Sequence, residues 1–251
     1  IELSRALLSN WVDACCQLMT PLNDTLYRYV MNTRKVHTDD TPVKVLAPGR
    51  KKAKTGRIWT YVRDDRNAGS SEPPAVWFAY SPDRQGKHPV QHLRPFRGIL
   101  QADAFSGYDR LFSAEREGGA LTEVACWAHA RRGFADLYKI SKDPRAAIAV
   151  KKIAGLYRLE KKISSRPVEK IRQWRQRYAR PILEDLWSWL EEQEPQCSPG
   201  RALHKAIVYA LSHRVELSRF LEDGAVPLDN NVCERAIKNV VLGRKSWLFA
   251  G

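Results

Sequence analysis

The first 33 residues carry apolar positions at helical spacing. One stripe runs along residues 3–19, and its members are Leu7, Leu8, Trp11, Val12, Cys15 and Leu18. Ser4 stands where a side-chain oxygen can cap a helix, and Pro21 ends or kinks the segment. We therefore predict a helix over residues 3–19 and a second helical piece over residues 22–31.

From residue 36 the pattern changes to β-branched residues that alternate with polar ones, which is typical of half-buried strands. Strands are predicted over residues 36–46, 57–63 and 75–80, and their short connections favour an antiparallel meander. The elements predicted next are a strand over 98–105, a short helix over 108–113, a strand over 123–129 and a helix over 130–140. The sequence thus predicts an α/β fold, a mixed β-sheet flanked by helices.

Residues 143–222 return to helical spacing, with fresh starts after Pro167 and Gly200. We predict an all-α subdomain, packed as an antiparallel bundle, in which Pro181 kinks the middle helix. It is inserted between the fifth strand and a C-terminal helix. The predicted organisation is therefore an N-terminal helical segment at 1–33, the first part of a sheet domain at 34–142, the inserted subdomain at 143–222, and the last part of the sheet domain at 223–251.

Charge points to a polyanionic partner. The chain has 42 Lys and Arg against 28 Asp and Glu, a formal net charge of +14. Residues 131–180 hold 16 basic and 4 acidic side chains, and residues 34–66 hold 10 and 4. Two basic zones of this kind favour a face for nucleic acid over charge that serves only solubility.

The compartment and the extent of the chain are also suggested by the sequence. Five cysteines form no regular framework, which favours a reducing, cytoplasmic setting. No apolar run approaches the roughly 18 residues of a membrane span. Because the chain begins with Ile1 and stops at Gly251 after an apolar stretch, we expect a fragment of a longer protein.

Three acidic residues are candidates for a shared site. Asp39 lies in the first strand, Asp103 near the end of the fourth, and Glu234 in the first turn of the late helix, followed by basic residues. An acid inside an apolar strand is costly to bury unless it is paired or binds a cation. Asp39 and Asp40 point to opposite faces of their strand, so at most one of them joins such a site. The alternatives are a solvent-facing Asp103 and an ordinary capped surface helix around Glu234.

Five stretches of sequence carry a family resemblance. They are residues 37–49 (with Asp-Asp-Thr-Pro), 99–108 (with Gln-Ala-Asp), 126–132 (Cys-Trp-Ala-His-Ala-Arg-Arg), 229–236 (Asp-Asn-Asn-Val-Cys-Glu-Arg-Ala) and 243–251 (ending Trp-Leu-Phe-Ala-Gly). In this order they resemble the IS66-family transposases. The resemblance implies a DDE transposase with an RNase H-like catalytic domain, in which Asp39, Asp103 and Glu234 are the three acids. It also implies that residues 3–12 are the end of an upstream helix-turn-helix-like region, and that the active form is a homodimer or a larger assembly on DNA.

The chemistry explains why three acids would occur together. Carboxylates suit hard cations such as Mg²⁺ or Mn²⁺, and two such ions support in-line phosphoryl transfer. Asp39, Asp103 and Glu234 are therefore the expected catalytic and metal-binding residues, with double-stranded DNA as substrate. The basic residues expected to contact the DNA backbone are Arg131, Arg132, Arg235, Lys238, Arg244 and Lys245.

Other functions are compatible with parts of this pattern. Cys126 and His129 have the spacing of half a zinc site, but the sequence offers no second half. The chain could be a DNA-binding remnant of a transposase without catalytic activity, or a stand-alone RNase H-like nuclease. Divalent-metal cleavage and joining of DNA separates these alternatives from a transposase.

Overall fold

The computed structural model describes residues 3–46, 49 and 52–247, except for the side chains of 245–247. The strands are β1 (Lys35–Val45), β2 (Lys54–Arg63), β3 (Ala75–Ser81), β4 (Ile99–Ala102) and β5 (Thr122–Ala125). The helices are α1 (Arg5–Leu18), α2 (Thr20–Met31), α3 (Lys87–His92), α4 (Trp127–Ser141), α5 (Pro144–Ile163), α6 (Val168–Trp174), α7 (Arg180–Gln193), α8 (Ala202–Ser212), α9 (Arg214–Ser218) and α10 (Asn231–Trp247).

The five strands form one mixed sheet in the order β3-β2-β1-β4-β5. β1, β2 and β3 pair antiparallel, as the meander prediction required, whereas β4 runs parallel to both β1 and β5. In the register, His37 lies opposite Gln101 and Asp39 lies opposite Thr60. The prediction of a mixed α/β protein with helices beside the sheet is confirmed at this level.

The two faces of the sheet bury different cores. Trp59, Tyr61 and Leu100 are fully buried on one face, where they pack with residues of α2 and of the segment after α3. On the opposite face, Cys233 and Ile237 of α10 pack against Val62 of β2. Strand alternation explains this division, because residues two apart in a strand share a face. Helix α10 therefore lies on the face that carries His37 and Asp39.

Helices α4, α5, α7, α8 and α9 share an apolar core with the edge of the sheet. Trp127 stacks at 5.6 Å from Trp187, and its indole donates a hydrogen bond to the carbonyl of Leu217 at 2.8 Å. Val124 and Ala125 of β5 belong to the same core. The break between α4 and α5 lies where the inserted subdomain is predicted to begin. The division of the chain into domains stays a prediction.

Two local predictions need correction. β5 ends at Ala125, so Trp127 and His129 belong to α4 and not to the predicted strand over 123–129. A short apolar run does not distinguish a strand from a buried helix start by its periodicity. In the middle helix the irregularity is a π-helical turn, Arg175–Ala179, and Pro181 follows it in the first turn of α7, where a missing N–H costs little.

Helix α1 has an apolar stripe in its sequence, but this stripe is not buried in the structure. Ser4 caps it as predicted, since its hydroxyl accepts the Leu7 N–H at 3.2 Å. Its apolar stripe, however, remains exposed, and Leu18 is 82% accessible. In the described part of the chain, no helix is both long and apolar enough to cross a lipid bilayer.

Candidate active site

Asp39 and Asp103 lie side by side at the end of the parallel strand pair. The register between β1 and β4 pairs His37 with Gln101, and its continuation by two residues brings Asp39 level with Asp103. Asp103 is the first residue after β4, where the backbone leaves the sheet. Burial and the neighbouring charge of Asp103 raise the pKa of Asp39 to about 7. The pKa of Asp103 is raised as well, chiefly by burial. The charge of Asp103 thus opposes the ionisation of Asp39, and the two carboxylates define an acidic pair.

Asp40 has a different environment from its neighbour. Its carboxylate is almost fully buried, and it accepts hydrogen bonds from Arg57 at 2.9 Å and from Arg84 at 2.8 Å. A guanidinium nitrogen of Arg84 also lies 3.6 Å from Oδ2 of Asp103, so Arg84 contacts both Asp40 and Asp103. Among the described residues, Asp40 is paired with two arginines and Asp39 with none. This difference favours Asp39 as the acid that meets a ligand.

The first turn of α10 is fixed over β1 by Asn230. Its side-chain amide donates to the carbonyl of Thr38 at 2.8 Å, and its Oδ1 lies 3.0 Å from Nδ1 of His37. Burial lowers the pKa of His37 to about 3, so the imidazole is neutral and donates from Nδ1 to the amide oxygen. Asp229 closes a turn just before the helix, because its carboxylate accepts the Asn231 N–H at 3.1 Å. Asn230 therefore serves as an anchor between α10 and the residue before Asp39.

Glu234 lies in the first turn of α10. Its charge contributes, weakly, to the raised pKa of Asp39. Its Oε1 lies 3.4 Å from Arg132 of α4, so the third predicted acid pairs with a predicted DNA contact. The pKa of His129 is influenced by both the acids and Arg132. Burial lowers its pKa and Arg132 adds to this effect, while Asp103 and Glu234 act in the opposite direction.

The carboxylates of Asp39 and Asp103 offer oxygen donors of the kind that divalent cations bind. Oδ1 of Asp103 is buried and has no hydrogen-bond partner among the described residues. An unsatisfied buried carboxylate oxygen is costly, and a hard cation would satisfy it. Within the described residues, however, no group of three or more acidic, histidine or cysteine side chains is gathered closely enough to hold one ion. The pair Asp39 and Asp103 therefore fits a cation, and Glu234 would have to leave Arg132 to join it.

The predicted DNA-binding residues lie in several environments. Arg235 and Lys238 are exposed on α10, and Arg235 lines a cavity of about 530 Å³ together with His37. Arg244 is turned back onto β1, where it donates to the Thr41 hydroxyl at 3.0 Å and to the Pro42 carbonyl. Arg131 is half-buried on α4. The side chain of Lys245 lies outside the described residues.

The sequence did not indicate that Arg84 and His129 belong to the candidate site. Arg84 had no sequence signal, because it lies in the loop between β3 and α3 and acts only through tertiary contacts. The spacing of Cys126 and His129 suggests half a zinc site or a strand that leads to Arg131 and Arg132, and neither predicts a helix. The pattern Cys-x-x-His-x-x-Arg is compatible with a helix that presents His129 and Arg132 together. Cys126 instead accepts the backbone N–H of Asn230 at 3.2 Å, and burial raises its pKa to about 11.

The arrangement defines a class of site: acids from two parallel strands and from a helix, bordered by arginines, in a basic mixed α/β protein. Comparison with known sequences identifies the family. The sequence model described as "Transposase IS66 family" matches residues 1–251. The chain belongs to the IS66 family of transposases.

Several relatives come from Sinorhizobium fredii (strain NBRC 101917 / NGR234). The uncharacterized protein y4hP is 36% identical over 263 residues, which cover 100% of this chain and 47% of the relative. The uncharacterized proteins y4jD and y4qI are each 33% identical; the matches cover 100% of this chain and 50% and 47% of those proteins. The chain thus spans about half the length of the curated relatives it matches.

Proposed function

We propose that this chain is the catalytic part of a DDE transposase with an RNase H-like fold, which cuts and joins DNA with the help of Mg²⁺ or Mn²⁺. The observation that carries the proposal is that Asp39 lies just past the part of β1 that pairs with β4, and Asp103 lies just after β4. Glu234 belongs to α10, the helix that packs on β1. Membership of a transposase family supports DNA as the substrate.

The role of each residue follows from its environment. Asp39 and Asp103 would hold the cation, and Glu234 would join them if a substrate phosphate drew Arg132 away from it. The bound ions would supply Lewis-acid activation of the attacking oxygen and neutralise charge on the phosphate. Lys238 is exposed one turn after Glu234, and Arg132 is half exposed beside Glu234. Both basic side chains can therefore contact a phosphate oxygen.

The proposed reaction has two steps at one site. Water attacks the phosphorus at the element end; the bond to the 3′ oxygen breaks, leaving a 3′-OH and a 5′-phosphate. That 3′-OH then attacks a phosphodiester of target DNA and displaces its 3′ oxygen, which joins the strands. Neither step requires a covalent protein nucleophile. By analogy with the family, the reaction is proposed to occur in a homodimer or larger assembly on double-stranded DNA.

A cleavage and joining assay tests the proposal. The DNA carries the ends of the element that encodes the chain, and Mg²⁺ or Mn²⁺ is compared with chelator. We expect the wild type to cut and join, and Asp103→Asn to lose both activities while it still binds DNA. Asp136→Asn, which changes an exposed acid of α4, is the matched control and retains activity. Full activity in Asp103→Asn would refute the proposal.

A second candidate function is DNA binding without catalysis. It is favoured by one observation: no three ligating side chains converge on a single ion within the described residues. This candidate predicts salt-sensitive DNA binding and no strand cleavage with either metal. The same assay distinguishes it, and cleavage without joining would instead indicate a nuclease.

A further inference from the structure

A cavity of about 680 Å³ opens directly beside Asp103. One wall comes from residues 103–106 and from Arg84, and a second comes from His129 and neighbouring residues of α4. The third wall is α8, in the helical layer, through Ala202, Lys205, Ala206 and Tyr209. The cavity therefore connects the acidic pair with the helices that follow β5 in the chain.

The walls suit a flat, mostly apolar group. The space is open because several lining residues are small, namely Ala104, Ala130, Gly133, Ala202 and Ala206. Two aromatic residues, Phe105 and Tyr209, also line the cavity. Cavities of about 300–1,000 Å³ with apolar walls and a few polar groups are the usual form of sites for small organic groups.

The polar groups at the cavity have a defined arrangement. The guanidinium of Arg84 lies 3.9 Å over the ring of Phe105, so it offers a planar cation beside Asp103. Lys205 is exposed at the α8 side. Tyr209 is held by the ring of His213 at 4.8 Å. Asp103 is the only acid among the residues that line the cavity, so the surroundings favour a group attached to phosphate.

We propose that this cavity binds one unpaired nucleobase of the DNA strand whose phosphate lies at Asp39 and Asp103. The inference rests on the proposed function, since it requires that DNA is the substrate. A base inside a duplex is stacked on both faces and cannot enter a cavity, so it must be unpaired and turned out of the helix. Aromatic rings and arginine planes bind such bases by stacking, with little dependence on sequence.

Affinity for DNA with a single unpaired base tests the inference. The probes are a short paired duplex, the same duplex with one extra unpaired adenine, and the duplex with an abasic residue in place of that adenine. Binding is measured in chelator, so that no cleavage occurs. We expect the wild type to prefer the unpaired adenine over both other probes by at least about fivefold, the lower range of stacking on a protein ring.

Ala202→Phe fills the cavity from α8 and should abolish this preference, while affinity for the paired duplex changes by less than about twofold. Val208→Phe is the matched control, because Val208 is exposed on the same helix and does not line the cavity; it should keep the preference. If Ala202→Phe does not fold, Ser106→Trp blocks the cavity from the opposite wall.

The outcomes separate this inference from the proposed function. Equal affinity of the wild type for all three probes would overturn it, as would a preference that survives in both blocking variants. Absence of cleavage and joining in the metal assay, with the base preference intact, would leave the cavity as a base-binding site and remove only the catalytic proposal.

Discussion

Asp39 and Asp40 are adjacent in β1, and the carboxylate of Asp39 accepts the backbone N–H of Asp40 at 2.7 Å. Strand alternation turns their side chains to opposite faces. Asp40 meets Arg57 and Arg84 on one face, and Asp39 meets Asp103 on the other. One acid is therefore satisfied within the protein, while its neighbour is held in a site that opposes its charge.

The ionised form of Asp39 should cost stability. The pKa of Asp39 is about 7 in the folded chain, above its ordinary value of 3.8, so the folded state binds more protons between these two pH values. The free energy of unfolding contributed by Asp39 therefore falls as pH rises from about 4 to 7. In chelator, Asp39→Asn should raise the free energy of unfolding by about 1–2 kcal/mol at pH 8 and change it little at pH 4. Urea unfolding at both pH values measures this difference.

A loss of stability in Asp39→Asn at pH 8 would contradict the account, because it would mean that Asp39 is satisfied in the folded chain. Asp136→Asn is the control for the substitution itself. Asp136 is exposed on α4 and pairs only with Lys139 at 3.3 Å, so its replacement should be nearly neutral at either pH.

The satisfied acid should behave in the opposite way. Asp40→Asn leaves the guanidinium groups of Arg57 and Arg84 near each other without their shared partner. We expect a loss of about 2 kcal/mol, because removal of one partner from a buried pair is destabilising. Thermal unfolding near neutral pH measures it. A stabilising Asp40→Asn would mean that the roles of the two aspartates are reversed.

Asn230 should control the position of Glu234. Asn230→Asp keeps the size of the side chain but turns a carboxylate oxygen toward the carbonyl of Thr38, which then lacks its donor. The expected cost is about 2–3 kcal/mol in the free energy of unfolding. The exposed Asn239 of the same helix supplies the control, and Asn239→Asp should be close to neutral. Equal effects of the two substitutions would show that Asn230 does not anchor α10.

Arg175 should hold the segment that leads from the helical layer back to α10. Its side chain is 3% exposed, pairs with Glu160 at 2.7 Å and donates to the carbonyls of Phe220, Asp223 and Val226. Arg175→Met should cost about 3–5 kcal/mol, since it leaves Glu160 and the carbonyls without partners. Arg172→Met, at a half-exposed position one turn earlier, should change stability by less than about 0.5 kcal/mol. Similar losses in both variants, by urea unfolding, would exclude this role.

Local patterns predicted the sheet well because alternation and turn residues report directly on strands. The meander of β1 to β3 and the positions of the helices in 143–222 follow from such patterns. The pattern did not predict α3, which is six residues long and contains Pro89, or the helical start at Trp127. Segments this short carry too little periodicity to be distinguished from loops or strands.

Of the residues in the candidate site, the sequence indicates the acids but not the contacts that surround them. The sequence pointed to Asp39, Asp103 and Glu234 through their apolar or basic neighbours and through the family resemblance. The part played by Arg84 depends on contacts with Asp40 and Asp103, which are 44 and 19 positions away, counted as 84 − 40 and 103 − 84. Local spacing contains no information on such contacts. The pairing of Glu234 with Arg132 is of the same kind.

The central claim is that Asp39, Asp103 and Glu234 form one cation site. Anomalous diffraction from crystals of the chain soaked in Mn²⁺ tests it most directly. The account predicts manganese between the carboxylates of Asp39 and Asp103, at ligand distances, with Glu234 drawn away from Arg132 toward the ion. Manganese bound only elsewhere, or a fully soaked crystal in which these carboxylates hold none, would contradict it.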